Sequence, residues 1–185
     1  MKSHRFSTLR LCTIGMMIAV YFVLAKLTII IGSLRITLAS LPIVVLAVLY
    51  GPVDASIAAL LGEFMIQAMG SYGITPTTPL WCLPPVLRAL TVGTGFRFIA
   101  RYRVKGAKVF TKAFNVCVIL GAMLTTVGNT LVWWIDSIIN HYNNNALIFG
   151  QFFIRLITGV IEAILIANVT LPVQRAVTEL HIRIK

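Results

Sequence analysis

The sequence predicts an all-α integral membrane protein, a bundle of six transmembrane helices whose N and C termini both lie in the cytoplasm. Hydrophobic residues make up 58% of the 185-residue chain and charged residues only 11%, whereas a soluble domain carries about 25% charged residues. So little polar surface cannot cover a water-facing globule, and lipid is therefore expected to solvate much of the protein. The basic residues, moreover, fall between the apolar segments. We treat residues 1–185 as a single domain of this kind.

Apolar segments follow one another along the chain, and most approach the roughly 20 residues that a membrane-spanning helix needs. We predict helices over residues 9–31, 36–50, 53–69, 80–100, 113–135 and 147–173. The second and third are short for a full crossing and are separated by Gly51-Pro52, a pair that interrupts regular structure. A loop with two glycines and two prolines, residues 70–79, precedes the fourth helix, in which Pro84-Pro85 is expected to impose a kink.

Lysine and arginine predict the orientation of the bundle, because cytoplasmic loops of membrane proteins are enriched in both. Three of these residues lie at the N-terminus (residues 1–10), six lie around the end of the fourth helix and three lie in the C-terminal tail, together 12 of the 16 in the chain. With six helices, all three groups lie on one side of the membrane, whereas five or seven helices would divide them. Only Lys26 and Arg35 lie near the loops of the other side. The sequence therefore predicts a multi-pass protein of the cell membrane.

No recognisable catalytic or metal-binding pattern is present in the sequence. Cys12, Cys82 and Cys117 stand apart in apolar stretches without metal-ligand spacing, and there is no nucleophile or zinc motif. The glycine-rich phosphate loop with its lysine is also missing, so any uphill transport would take its energy from another subunit. We therefore expect neither an enzyme nor a cofactor nor a bound metal. Despite the net charge of +11, no nucleic-acid motif accompanies the basic residues.

Charged side chains inside the predicted helices are the first candidates for function: Glu63, Arg88, Arg155 and Glu162. A charge at the bilayer centre costs at least about 2.5–3.5 kcal/mol, so such residues usually face the interior of a bundle. One interpretation is a ligand pocket. The other is an internal ion pair, such as Glu63 with Arg88, that only holds helices together. We favour the pocket for the arginines and a structural role for the glutamates, while keeping Glu63 among the candidate site residues.

Amide side chains accompany these charges on two helices. Gln67 lies one turn beyond Glu63 on the third helix, and Asn129 lies one turn before Trp133 on the fifth helix. Amides in membrane helices either form hydrogen bonds between helices or recognise a ligand. Both interpretations stay open for these two residues.

Aromatic residues gather near the predicted outer interface. Trp81 and Trp133 belong to an aromatic belt on one interpretation, and on the other they offer a stacking surface for a flat ring. Tyr72, in the outer loop of residues 70–79, is a candidate contact above the pocket.

Together, these features resemble one family, the substrate-binding S components of energy-coupling factor (ECF) vitamin transporters. Gly15 and Ala19 on the first helix resemble the family's A-x-x-x-A docking motif, with glycine in place of the usual alanine. Residues 34–42, followed by residues 50–52, resemble the signature of the family's second helix. Within residues 75–88, T-P-T-T-P-L-W followed by L-P-P-V-L-R is most similar to the folate branch.

The resemblance implies a high-affinity binder of a water-soluble vitamin, loaded from outside and delivered inward by a transmembrane coupling subunit and two ATPase subunits. It also implies that Gly15 and Ala19 contact the coupling subunit, and that the first and third outer loops gate the pocket. Folate is favoured; pyridoxine, hydroxymethylpyrimidine and pantothenate stay open, as do a membrane-embedded enzyme and a structural membrane subunit. The candidate substrate-binding residues are Arg35, Glu63, Gln67, Tyr72, Trp81, Arg88, Asn129, Trp133 and Arg155.

Overall fold

Helices make up nearly all of the regular structure. The computed structural model describes residues 8–31, 34–70, 73–101, 107–142 and 145–183. Within these residues the elements are α1 (Thr8–Lys26), β1 (Ile29–Ile31), β2 (Leu34–Ile36), α2 (Leu41–Leu49), α3 (Pro52–Ala68), α4 (Thr78–Trp81), α5 (Leu83–Arg101), α6 (Ala107–Ile139), α7 (Asn145–Gly150) and α8 (Phe152–Arg183).

Six of these helices, α1, α2, α3, α5, α6 and α8, correspond in order to the six predicted segments. The predicted all-α bundle is therefore confirmed. The described residues add two short helices, α4 and α7, and one two-stranded antiparallel hairpin to it.

The hairpin corrects the predicted end of the first helix. The apolar run continues to Ile31, but α1 ends at Lys26, and Ile29–Ile31 form β1 instead. Ile29 pairs with Ile36 and Ile31 with Leu34 across the antiparallel ladder. Three consecutive β-branched residues favour extended backbone over helix. Because strand and helix both suit a short apolar run, hydropathy alone did not separate them.

The helices differ in their ability to cross a bilayer. Three stretches of the described chain are long and apolar enough by length and composition: Thr8–Lys26, Phe110–Ile139 and Asn145–Gln174. By contrast, α2 has nine residues and spans only about 14 Å of a hydrocarbon core about 30 Å thick. Protein replaces lipid around this short helix, since Leu46 and Ala47 are completely buried and α2 contacts α1, α3, α5 and α8.

The two prolines predicted to kink the fourth helix are found at a helix start instead. The predicted segment is divided into α4 and α5 at Cys82, so Pro84 and Pro85 fall in the first turn of α5. Proline is tolerated there because the first amides of a helix have no intrahelical acceptor. The prediction of an internal kink was therefore wrong.

Charged side chains close the end of the bundle at which α3 begins. Asp54, in the first turn of α3, is buried and forms an ion pair with Arg10 of α1. A carboxylate at this position also interacts favourably with the helix dipole. Arg97, near the end of α5, donates a hydrogen bond to the carbonyl of Tyr50 at 3.3 Å. This is the end that the basic residues predict to be cytoplasmic.

A close helix contact at the same end provides a test of the packing. A Cβ atom at Gly93 would lie 2.6 Å from the Cα of Pro52, which is a backbone atom that cannot move aside. We expect Gly93→Ala to lower the free energy of unfolding by about 1–3 kcal/mol through overpacking, measured by thermal unfolding of the purified protein.

Gly15→Ala is the matched control, because no atom lies within 4 Å of a Cβ at Gly15. Alanine is the better helix former by about 1 kcal/mol, so this control should be as stable as the parent or more stable. If both alanines raise the unfolding temperature equally, the contact between α3 and α5 is described wrongly.

Candidate functional site

A cavity of about 720 Å³ opens among the helices at the end of the bundle that carries the hairpin, α4 and α7. This volume lies within the range of about 300–1,000 Å³ that is typical of small-molecule pockets. Six of the predicted site residues line it: Glu63, Trp81, Arg88, Asn129, Trp133 and Arg155. They come from α3, α4, α5, α6 and α8, so residues far apart in sequence meet at one place.

Three other predicted site residues are placed differently. Gln67 does not line the cavity, but it supports a residue that does, since its Nε2 donates to Glu63 Oε1 at 2.9 Å. The backbone of Arg35 pairs with Ile30 in the hairpin, and the side chain of Arg35 lies outside what the structure describes. Tyr72 is also outside the described residues.

The outer part of the cavity combines a cation with an aromatic ring. The guanidinium carbon of Arg155 on α8 lies 5.3 Å from the ring centroid of Trp133 on α6. A cation over an indole face is attracted by the electron density of the ring, and this arrangement also fixes the direction of both side chains. Trp81 from α4 and Gln151 line the same cavity. This region therefore presents positive charge beside a flat apolar surface.

Arg88 lies deeper in the bundle and is held at one of its nitrogens. Its Nε donates to Thr125 Oγ1 at 3.1 Å. The Thr125 hydroxyl is itself directed by Gly121, whose carbonyl oxygen lies 2.7 Å away on the preceding turn of α6. Because the hydroxyl proton faces that carbonyl, the oxygen lone pairs are available to the arginine.

Glu162 is a cavity residue for which the sequence interpretation favoured a structural role. It lines the cavity with only 8% of its surface exposed, and its Oε1 accepts a hydrogen bond from the backbone N–H of Thr37 at 2.7 Å. Thr37 belongs to the segment between β2 and α2. This bond therefore ties the hairpin to the middle of α8.

Glu63 does not form the ion pair with Arg88 that was one expectation for it. Among the described residues the ion pair is Arg10 with Asp54, whereas Glu63 Oε2 accepts from the hydroxyl of Tyr21 at 2.6 Å. With Gln67 on its other oxygen, Glu63 is bonded on both sides. The two charges thus have separate neutral partners. The interpretation of Glu63 and Arg88 as an ion pair that joins α3 to α5 was therefore wrong.

A helical spacing in the sequence could have revealed the wall of the cavity on α8. Gln151, Arg155, Thr158 and Glu162 all line it, and they follow one another at intervals of four, three and four residues. Such intervals place side chains on one face of a helix. Glu162 was judged by its charge alone, although it lies on the same stripe as Arg155.

The same spacing measures the depth of the cavity. Arg155 and Glu162 are seven residues apart on α8, which is about 10 Å along a helix axis. Thr125 and Trp133 are eight residues apart on α6, or about 12 Å. The cavity therefore has an outer layer around Arg155 and Trp133 and a deep layer around Arg88 and Glu162.

Asp136 connects the rim of the cavity. Near the end of α6, its carboxylate accepts hydrogen bonds from the hydroxyls of Thr77 and Tyr142 and, at 2.9 Å, from Asn140. Thr77 immediately precedes α4, which carries Trp81. An acidic residue in the last turn opposes the helix dipole, so these donors, rather than helix stability, account for an aspartate at this position.

Comparison with known proteins places this arrangement in a family. Residues 9–174 match the family described as "ECF transporter, substrate-specific component". A solved S component of a bacterial ECF transporter has the same fold, with a TM-score of 0.59 and 20% sequence identity over 92% of this chain and 96% of that chain. No curated protein matches the chain in sequence.

The resemblance seen in the sequence is thereby confirmed for the family, and the folate branch stays a prediction. The matched residues, 9–174 of 185, include nearly every element described above. This chain therefore belongs to the substrate-specific components of ECF transporters, multi-pass membrane subunits that work with an ECF module on a small-molecule substrate and are not enzymes.

Proposed function

We propose that this chain captures a water-soluble vitamin outside the cell, with folate as the favoured ligand. A transmembrane coupling subunit and two ATPase subunits would then drive delivery of the vitamin inward. The observation that carries the proposal is the cavity itself, in which Arg155 lies over the ring of Trp133 in the outer layer. A flat ring bearing carboxylates is complementary to that pair, since the indole stacks and the guanidinium binds carboxylate.

The orientation we propose follows from charge. Arg10, Arg97 and Arg101 belong to the end of the bundle opposite the cavity. Positive residues favour the cytoplasmic side, so that end and both termini would lie inside and the cavity would open outward. The rim held by Asp136 would then face the outside, where a gate has to act.

Folate is favoured over the alternatives because it uses more of the cavity. Pantothenate has a carboxylate for an arginine but no ring for Trp133. Pyridoxine and hydroxymethylpyrimidine have the ring but little need for two arginines. A folate has both features, and its length suits layers about 10 Å apart. Six of the predicted residues would contact the ligand: Glu63, Trp81, Arg88, Asn129, Trp133 and Arg155. Gln67 would position Glu63, and contacts of Arg35 and Tyr72 with the ligand stay predictions.

The surface that we propose for docking the coupling subunit is the outer face of α1. Gly15 and Ala19 are exposed there, and the neighbouring side chain of Met16 is 61% exposed. Small residues one turn apart allow a second helix to approach closely. The small-x-x-x-small pair therefore lies on a surface that no other element of the described chain covers.

Removal of the outer cation tests ligand binding. We expect Arg155→Met to weaken folate binding by about 10- to 100-fold, because a charge-assisted pair with carboxylate is lost while the stem is kept. Titration calorimetry on the purified protein measures the dissociation constant.

Arg97→Met is the matched control, since Arg97 lies at the opposite end of the bundle and is exposed. It should leave the dissociation constant unchanged. If the wild-type protein binds none of folate, pantothenate, pyridoxine, thiamine, riboflavin and biotin, vitamin capture is the wrong function.

Bulky side chains on α1 test the docking surface. We expect Gly15→Trp or Ala19→Trp to abolish assembly with the coupling subunit, because an indole prevents close helix approach, and to leave vitamin binding intact. Co-purification of the complex and calorimetry measure the two effects separately. Leu124→Trp, on the exposed face of α6, is the control and should assemble normally. Assembly of the two α1 variants at wild-type yield would contradict the assignment.

A further inference from the structure

The deep layer of the cavity holds two opposite charges that do not pair with each other. Arg88 and Glu162 interact electrostatically, but among the described residues no ion pair joins them, since the ion pair there is Arg10 with Asp54. In a medium of low dielectric constant, opposite charges attract strongly. Some feature of the structure must therefore hold them apart.

Each of the two charged groups is held by a hydrogen bond at one of its atoms. Arg88 is held at Nε by the hydroxyl of Thr125, at 3.1 Å. Glu162 is held at Oε1 by the N–H of Thr37, at 2.7 Å. Because the anchors belong to different elements, α6 and the segment after β2, they fix the two groups on separate walls.

The remaining polar atoms of both groups face the cavity. The terminal nitrogens of Arg88 and the Oε2 of Glu162 have no hydrogen-bond partner within the described chain. None of these atoms is among the fully buried polar atoms without partners, and both residues line the cavity. The deep wall therefore offers donors on one side and an acceptor on the other.

We infer that Arg88 and Glu162 together read one edge of the ligand, on which a ring N–H lies beside a C=O, as in a lactam or a cyclic ureide. Glu162 Oε2 accepts from the ring N–H, and Arg88 donates to the carbonyl oxygen. This inference rests on the proposed function and narrows its substrate class. The acidic end of the ligand then lies about 10 Å further out, beside Arg155.

The vitamins fall into two groups according to whether they carry this edge. Folate, riboflavin and biotin each carry a cyclic N–H beside a C=O, whereas pantothenate, pyridoxine and thiamine carry no such edge. Folate and biotin also have a carboxylate at the far end of the molecule. The class is therefore defined by the shared edge, and the probes decide which member binds.

Folate and aminopterin form the sharpest pair of probes. Aminopterin replaces the 4-oxo group of folate with an amino group, so the carbonyl acceptor becomes a donor and the ring N–H becomes an unprotonated nitrogen. The edge is thus reversed while the size, the ring and the glutamate are nearly unchanged. We expect the wild-type protein to bind folate on the order of 100-fold more tightly than aminopterin, because reversed groups leave buried polar atoms unpaired.

Glu162→Gln is the matching change in the protein. The Thr37 N–H retains an oxygen to bond, so the amide nitrogen of glutamine turns toward the cavity and replaces an acceptor with a donor. We expect this variant to bind folate about 100-fold more weakly than the wild type does. Its preference for folate, the dissociation constant of aminopterin divided by that of folate, should fall to less than about 10. The unfolding temperature without ligand should stay near that of the wild type, because the anchor is kept.

Calorimetry with both probes, on wild type, Glu162→Gln and Arg88→Met, tests the inference. A smaller ratio of the aminopterin to the folate dissociation constant in both variants supports the inference. If folate binds tightly and the ratio is the same in all three proteins, the inference is overturned while vitamin capture stands. Binding of pantothenate, pyridoxine or thiamine alone also overturns it and leaves capture standing. Binding of riboflavin or biotin instead of folate supports it, provided that Glu162→Gln weakens that vitamin by a similar factor.

Discussion

The desolvation of charge inside an apolar bundle is the constraint on which the rest of this structure depends. A charged group that leaves water needs hydrogen bonds in its place. Arg88 finds one in Thr125 and Glu162 finds one in the backbone of Thr37. Each bond uses only part of the charged group, and the remaining polar atoms define the inside of the cavity. The same contacts that make the charges tolerable thus give the pocket its chemistry.

The irregular outer half of the bundle follows from this constraint. A first helix that continued to Ile31 would carry the next segment away from α8. Because α1 ends at Lys26 and the chain turns back through a hairpin, the N–H of Thr37 reaches Glu162. The second helix then begins late, at Leu41, and is short and largely enclosed by protein. The bond between Thr37 and Glu162 therefore links the hairpin to the deep part of the cavity.

Hydropathy and charge were sufficient to predict the helix order and most of the cavity. Membrane helices can be recognised in a sequence by the length of their apolar stretches, and charged residues within those stretches are rare. The partners of those charges were not predictable. Glu162 bonds to a backbone group 125 residues away in the chain, and a backbone N–H carries no sequence signal. The pairing of Glu63 with Arg88, one of two interpretations of these charges, is not found for a related reason, since charge complementarity does not reveal that Tyr21 donates a hydrogen bond to Glu63.

We propose that a vitamin binds in the outer layer of the cavity, with a flat ring against the indole of Trp133. The chain contains three tryptophans, so Trp81→Phe combined with Trp134→Phe leaves Trp133 as the fluorescent reporter. Stacking of the benzoyl ring of folate, which lies next to its glutamate, on that indole predicts saturable quenching of its emission by folate, with a midpoint equal to the calorimetric dissociation constant. Calorimetric binding of folate without any change in the emission of Trp133 would contradict contact between the ligand and this indole.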